Sequence, residues 1–173
     1  MLLHMRYFLQ LATSKALIVY RFTVMLIHMS YVKIWIHAVW STKYRQPILK
    51  EPILREVCAH IKMNARSKGI FIDRINDHED HIHVLMMLKN DNSISKQMQL
   101  LKGESAFWAN QVGLVNGGLE WSVKYFASSV CDDRLDVVRR YIDNQAAHHR
   151  KQTFQDEYKV FLERLGYTEE DFG

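Results

Sequence analysis

Two short stretches carry side chains suited to chemistry: DHIHVLMML at residues 80–88 and YIDNQ at residues 141–145. The first reads as a strand, where side chains alternate between faces. His81 and His83 then sit side by side, while Ile82, Val84 and Met86 point the other way as the expected buried set. Two adjacent imidazoles can each give a nitrogen to one divalent ion. His78, Asp77, Glu79 and Asp80 add further ligands or acceptors for the imidazole N–H groups. A pair of ordinary solvent-facing histidines would fit the stretch equally well. In YIDNQ, Tyr141 and Gln145 are four apart and share one helix face. A phenol titrates near pH 10, so a tyrosine that attacks phosphate needs a metal or a base beside it. Gln145 could give a neutral oxygen to the same ion. Alone, Tyr141 packed on a neighbour and a solvated Gln145 would account for this stretch too.

The elements that must position these residues follow from periodicity. KIWIHAVW (33–40) alternates Ile34, Ile36, Ala38 and Trp40 against Trp35, His37 and Val39, as a strand does. After STKYRQPIL, residues 51–69 read as a helix with Pro52 near its start and Gly69 past its end. Ile53, Leu54, Val57, Cys58, Ile61 and Ala65 form its stripe. Residues 70–77 and 80–88 read as adjacent strands joined by a polar turn. Residues 91–111 form a helix capped by Ser93, with Ile94, Met98, Leu101 and Phe107 in register. VNGGLEW (115–121) is a turn with a strong hairpin signal, and SVKYFASSV (122–130) a further strand. A helix follows, capped by Asp132 or Asp133 and striped by Leu135, Val138 and Ile142. A terminal helix runs from Thr153 to a stop at Gly166. The order β–α–β–β–α–β–α–α predicts an α+β, ferredoxin-like antiparallel sheet with helices on one face, leaving the other face open for a site.

Composition excludes little. The chain has 173 residues, 48% hydrophobic and 24% charged, which suits one globular domain. Cys58 and Cys131 fit no metal-site spacing and read as reduced core thiols of a cytoplasmic protein. The net charge of +4 is concentrated in residues 1–28, which contribute +3 through Arg6, Lys15 and Arg21. Any basic footprint in the rest of the chain must therefore be local. Polar residues interrupt the leader's apolar runs, so no membrane span of about 18 residues is expected. Nor does it end in a clear secretory cleavage site. The expectation is that residues 1–28 are an N-terminal extension from an upstream start, and that Met29 opens the natural domain, 29–173. The alternative is a genuine extra helix or a poor membrane anchor.

Taken together, HIH at His81, Ile82 and His83, the strand WSVKYFASSV and YIDNQ at Tyr141 and Gln145 closely resemble the single-tyrosine HUH transposases of the insertion-sequence 200/605 family. VWSTKYRQPIL, SISKQMQLLKG and HHRKQTFQDEYKVFL resemble that family too, so the likeness runs from about Met29 to near the C-terminus. It implies an HUH-endonuclease fold and an enzyme that cuts and rejoins single-stranded DNA at element ends bearing hairpins. His81, His83 and Gln145 would hold a Mg²⁺ or Mn²⁺ ion. Tyr141 would attack the scissile phosphate, forming a 5′-phosphotyrosine link and freeing a 3′-hydroxyl. It further implies a homodimer in which the tyrosine helix can complete the partner's histidine pair.

DNA contacts are less sharply marked. Lys33, Lys43, Arg45, Lys62, Arg66, Lys68, Arg139 and Arg140 are candidate phosphate contacts, and Tyr44 and Trp108 candidate stacking platforms. The HHRK cluster (148–151) suits DNA or a helix end. Two other readings stand beside the enzyme: a domesticated or inactive relative that binds hairpins without transposing, and an RNA-binding module on the same fold. Histidines where such a module carries stacking aromatics count against the second.

Overall fold

The computed structural model describes residues 32–144 and Lys159, apart from the side chain of Asp77. The chain divides after Val32, and the fold described is that of the second unit. The expectations for residues 1–28 and for the terminal helix lie outside the described residues, except that Lys159 is helical.

Four strands, β1 (Trp35–Ser41), β2 (Ile72–His78), β3 (His81–Met87) and β4 (Phe126–Val130), form one sheet in the order β2-β3-β1-β4. Every pairing is antiparallel. Helices α1 (Ile53–Ser67) and α2 (Ile94–Gln111) make the two crossovers, and α3 (Leu135–Asp143) follows β4. The ferredoxin-like α+β arrangement predicted from the element order is therefore present.

Local sequence explains most boundaries. Pro52 borders α1 at its start, where a missing N–H removes no helical bond. Beyond its end, Gly69 takes φ +70, a conformation that side-chain-bearing residues resist. The Ser93 hydroxyl accepts the Lys96 N–H at 3.2 Å and caps α2. The aspartate cap expected for α3 does not form. A 3-10 turn, Asp132–Arg134, intervenes, and Asp132 pairs with Lys33 at 2.9 Å.

Alternation along the central strands divides the interior. Ile36, Ala38 and Trp40 of β1 join Ile82, Val84 and Met86 of β3 beneath α1 and α2, in one core that includes Val57, Ile61, Met98 and Leu101. Each buried Ile, Val, Leu or Met among them contributes about 1.5–3 kcal/mol by leaving water. Gln97, fully buried, donates to the Met87 carbonyl at 2.9 Å and accepts the Lys89 N–H at 3.1 Å, pinning α2 to the end of β3.

Several expectations need correction. Phe107 is 64% exposed, because the buried row of α2 runs Met98, Leu101, Ser105, Ala109 and leaves it on the outer flank. Cys131 is a free but exposed thiol rather than a core one. VNGG does form a turn, with Gly117 and Gly118 at φ +85 and +86, but no hairpin. The turn returns from α2 instead, and the expected strand shortens to Phe126–Val130. The second sheet face is not open. Trp35 and Leu85 on that face pack against Leu135 and Ile142 of α3.

Candidate functional site

The site lies on the face that α3 covers. His81 and His83 project to the same side of β3, and both are fully buried, so they are not solvent-facing histidines. Their ring centroids are 5.0 Å apart, with the planes at 73°.

Each imidazole is held from behind. Asp80 Oδ1 lies 2.6 Å from His81 Nδ1. A carboxylate can only accept, so Nδ1 carries the proton, and in the neutral ring that leaves the lone pair on Nε2. Arg45 grips the other oxygen of Asp80 through Nε at 3.0 Å and Nη2 at 2.7 Å. Burial pushes the Asp80 carboxyl up, but hydrogen bonds from His81 and Arg45 outweigh it and hold the group down at about 2. The loop bearing Arg45 is itself fixed, since the Thr42 N–H donates to the Asp80 carbonyl at 2.8 Å. On β1, His37 Nε2 stands 3.2 Å from His83 Nδ1. Burial pushes the His37 imidazole down to about 4, so it is neutral at pH 7 and able to accept from His83.

Tyr141 meets this cluster from α3. Its ring lies edge-on, 5.5 Å from His83 and 5.9 Å from His37 between centroids. Polar contacts dock the helix as much as apolar ones. Arg139 donates from Nε to Asp73 at 2.6 Å, and Asn76 donates to the Ile142 carbonyl at 2.8 Å. The structure thus brings His81, His83 and Tyr141 of one chain together. Gln145 lies outside the described residues.

A divalent ion suits this donor set as far as it is described. His81 offers Nε2, and His83 would offer its own Nε2 with the proton held at Nδ1 toward His37. Among the described residues, no cluster of three or more His, Cys, Asp or Glu could hold a metal, so the candidate donors described are the two imidazoles alone.

Of the expected DNA contacts, Arg45 serves Asp80 and Arg139 serves Asp73. Trp108 stacks flat on His60, with centroids 3.9 Å apart, and His60 in turn binds Glu104 at 2.9 Å. Lys62, Arg66 and Arg140 are exposed, and Tyr44 is 84% exposed. Sequence reasoning missed His37 and Asn76 as parts of the site. The signal for His37 was there: a histidine inside WIHAVW, on an otherwise apolar strand, resembles the one that marked HIH.

A crystal structure from Deinococcus radiodurans R1, described as a transposase, superposes with a TM-score of 0.54 at 24% identity, covering 68% of this chain and 95% of that one. That likeness is one of fold. A REP-associated tyrosine transposase bound to a REP hairpin superposes with a TM-score of 0.49 at 17% identity, over 70% of this chain and 72% of that one. The ISDra2 transposase TnpA of Deinococcus radiodurans is 23% identical over 114 residues, 63% of this chain and 81% of that protein. The family model described as "Transposase IS200 like" matches residues 30–145. The chain belongs to the IS200-like transposase family. Membership places it among proteins of DNA transposition and recombination, with DNA cleavage and strand transfer as the implied activity.

Proposed function

We propose that the protein cleaves and rejoins single-stranded DNA at element ends through Tyr141, next to a divalent ion held by His81, His83 and Gln145. The observation that carries this is the meeting of Tyr141 with the histidine pair, 5.5 Å from His83. The phenol oxygen of Tyr141 bonds to the scissile phosphorus while the bond to the 3′ oxygen breaks. The DNA is left 5′-linked to tyrosine, with a free 3′-hydroxyl. The phenol proton departs to solvent or to a neighbouring base, and the leaving 3′ oxygen takes one up. A 3′-hydroxyl from another strand reverses the step, so rejoining needs no ATP. When bound, Mg²⁺ or Mn²⁺ would polarise a phosphoryl oxygen and stabilise charge that develops there. Asp80 and His37 would keep the two imidazoles turned with Nε2 toward the ion. A neutral glutamine in place of a carboxylate would leave the centre less repulsive to phosphate.

The same reading takes DNA hairpins as the recognised feature, a homodimer as the working form and the cytoplasm as the location. Among the described residues, no helix is long and apolar enough to cross a membrane. The test is a labelled single-stranded oligonucleotide carrying an element end, incubated with protein and Mg²⁺ or Mn²⁺. A covalent adduct is expected, lost with EDTA and absent in Tyr141→Phe. Tight binding with no adduct under either metal would favour the inactive, hairpin-binding relative.

A further inference from the structure

Beside the end of β1, a cleft of about 950 Å³ opens between α2 and the segment that returns from it. Its volume is within the range of pockets that hold ligands. The cleft is built in, not incidental. The Asn110 side chain accepts the Leu119 N–H at 2.6 Å and donates to its carbonyl at 3.1 Å, fastening the returning segment to α2. Gly118 makes the approach possible: a Cβ there would come within 3.1 Å of Asn110 Oδ1, and its φ is +86. Trp121 fixes the far wall by donating to Ser105 Oγ at 3.0 Å.

The lining combines two chemistries. Lys43 pairs with Glu120 at 2.5 Å, and Lys102 and Lys124 are the other two positive charges of the lining, in a domain whose charges otherwise nearly balance. Two of the aromatic rings have a lysine beside them. Lys43 Nζ lies 5.5 Å from the Tyr44 ring centre, and Lys102 Nζ lies 5.5 Å from that of Tyr125. A ring with an ammonium group beside it offers a base a stacking surface and its phosphate a counter-charge. A duplex would present phosphates but keep its base faces stacked inside, leaving exposed Tyr44 without a partner.

Position links the cleft to the histidine pair. Lys43 and Tyr44 immediately precede Arg45, which holds Asp80 behind His81, and Ser41 is paired with His81 across the sheet. Tyr44 and Arg45 both sit at φ 56, unusual for residues with side chains and a mark of a turn held by its surroundings.

We propose that this cleft binds an unpaired stretch of DNA, with Tyr44 and Tyr125 stacking on bases and Lys102 and Lys124 meeting phosphates, and so leads the strand toward His81. The inference rests on the reading of the protein as a single-strand transposase and assigns that strand a path.

The test uses the full chain and a fluorescent mixed-sequence single strand of about 16 nucleotides, the upper end of common site sizes. Tyr44→Ala is expected to weaken binding about tenfold, as loss of one stacked base does, and Tyr44→Phe to restore it. Lys124→Glu should weaken binding and lower the salt slope by about one. A strand containing iodouracil should photocrosslink to Tyr44 or Tyr125. Wild-type affinity in both Tyr44→Ala and Lys124→Glu, or equal competition by a blunt duplex, would overturn the proposal. The two readings fail separately. A covalent adduct at Tyr141 with no effect of the cleft variants removes the cleft and keeps the enzyme. Crosslinking at Tyr44 without any adduct keeps the cleft and removes the enzyme.

Discussion

The two faces of the sheet are made by alternate residues of the same strands, yet different forces hold them. Beneath α1 and α2, Ile36, Ala38, Trp40, Ile82, Val84 and Met86 meet a continuous apolar layer. Opposite, His37, His81 and His83 take the matching positions, and only Trp35, Leu85, Leu135 and Ile142 form a small buried apolar group. Much of the holding there is polar: Arg45 on Asp80, Asp80 on His81, Arg139 on Asp73 and Asn76 on a helical carbonyl. One face specifies the fold and tolerates loss of volume badly. The other face is fitted to place a few atoms and can lose function while the sheet stands.

Substitutions can break this division. The largest stability effect is expected from Trp40→Ala, where loss of a 1%-exposed ring should cost about 3–5 kcal/mol in urea unfolding. A cost near zero would mean that the α1–α2 face does not carry the stability. On the other face, Asp80→Ala should weaken Mn²⁺ binding about 10–100-fold in calorimetric titration, by freeing His81 to rotate. Its unfolding midpoint should move less than that of Trp40→Ala. Unchanged metal affinity would show that the Asp80–His81 hydrogen bond is idle.

Smaller effects sharpen the same contrast. Arg139→Ala should speed amide exchange across α3 but leave β1 and β3 protected, because Arg139 fastens only the helix. Equal acceleration in the central strands would deny that the two faces are separable. The smallest effect is expected from mixing His81→Ala, His83→Ala protein with Tyr141→Phe protein. Docked on its own sheet, α3 should restore no cleavage. Recovery would show that the tyrosine helix is exchanged between copies.

Much of the fold was legible because period-two and 3.6-residue patterns are local. HIH implied the shared face of His81 and His83, and Pro52, Gly69 and Ser93 marked helix ends that the structure keeps. What was not legible depended on residues far apart in the chain. Arg45 read as a phosphate contact because nothing near it in sequence announces Asp80, 35 positions away. Trp108 read as a stacking platform because His60 reaches it only when α1 and α2 pack. The covering of the second sheet face by α3 depended on Asp73 and Asn76 meeting Arg139 and the Ile142 carbonyl, which no periodicity encodes.

Mass-spectrometric mapping of the covalent DNA adduct in the unaltered protein tests the central claim most directly. The account predicts a single nucleotide-bearing peptide, with the phosphate on the Tyr141 oxygen. Attachment at another side chain, such as Tyr125, would contradict it.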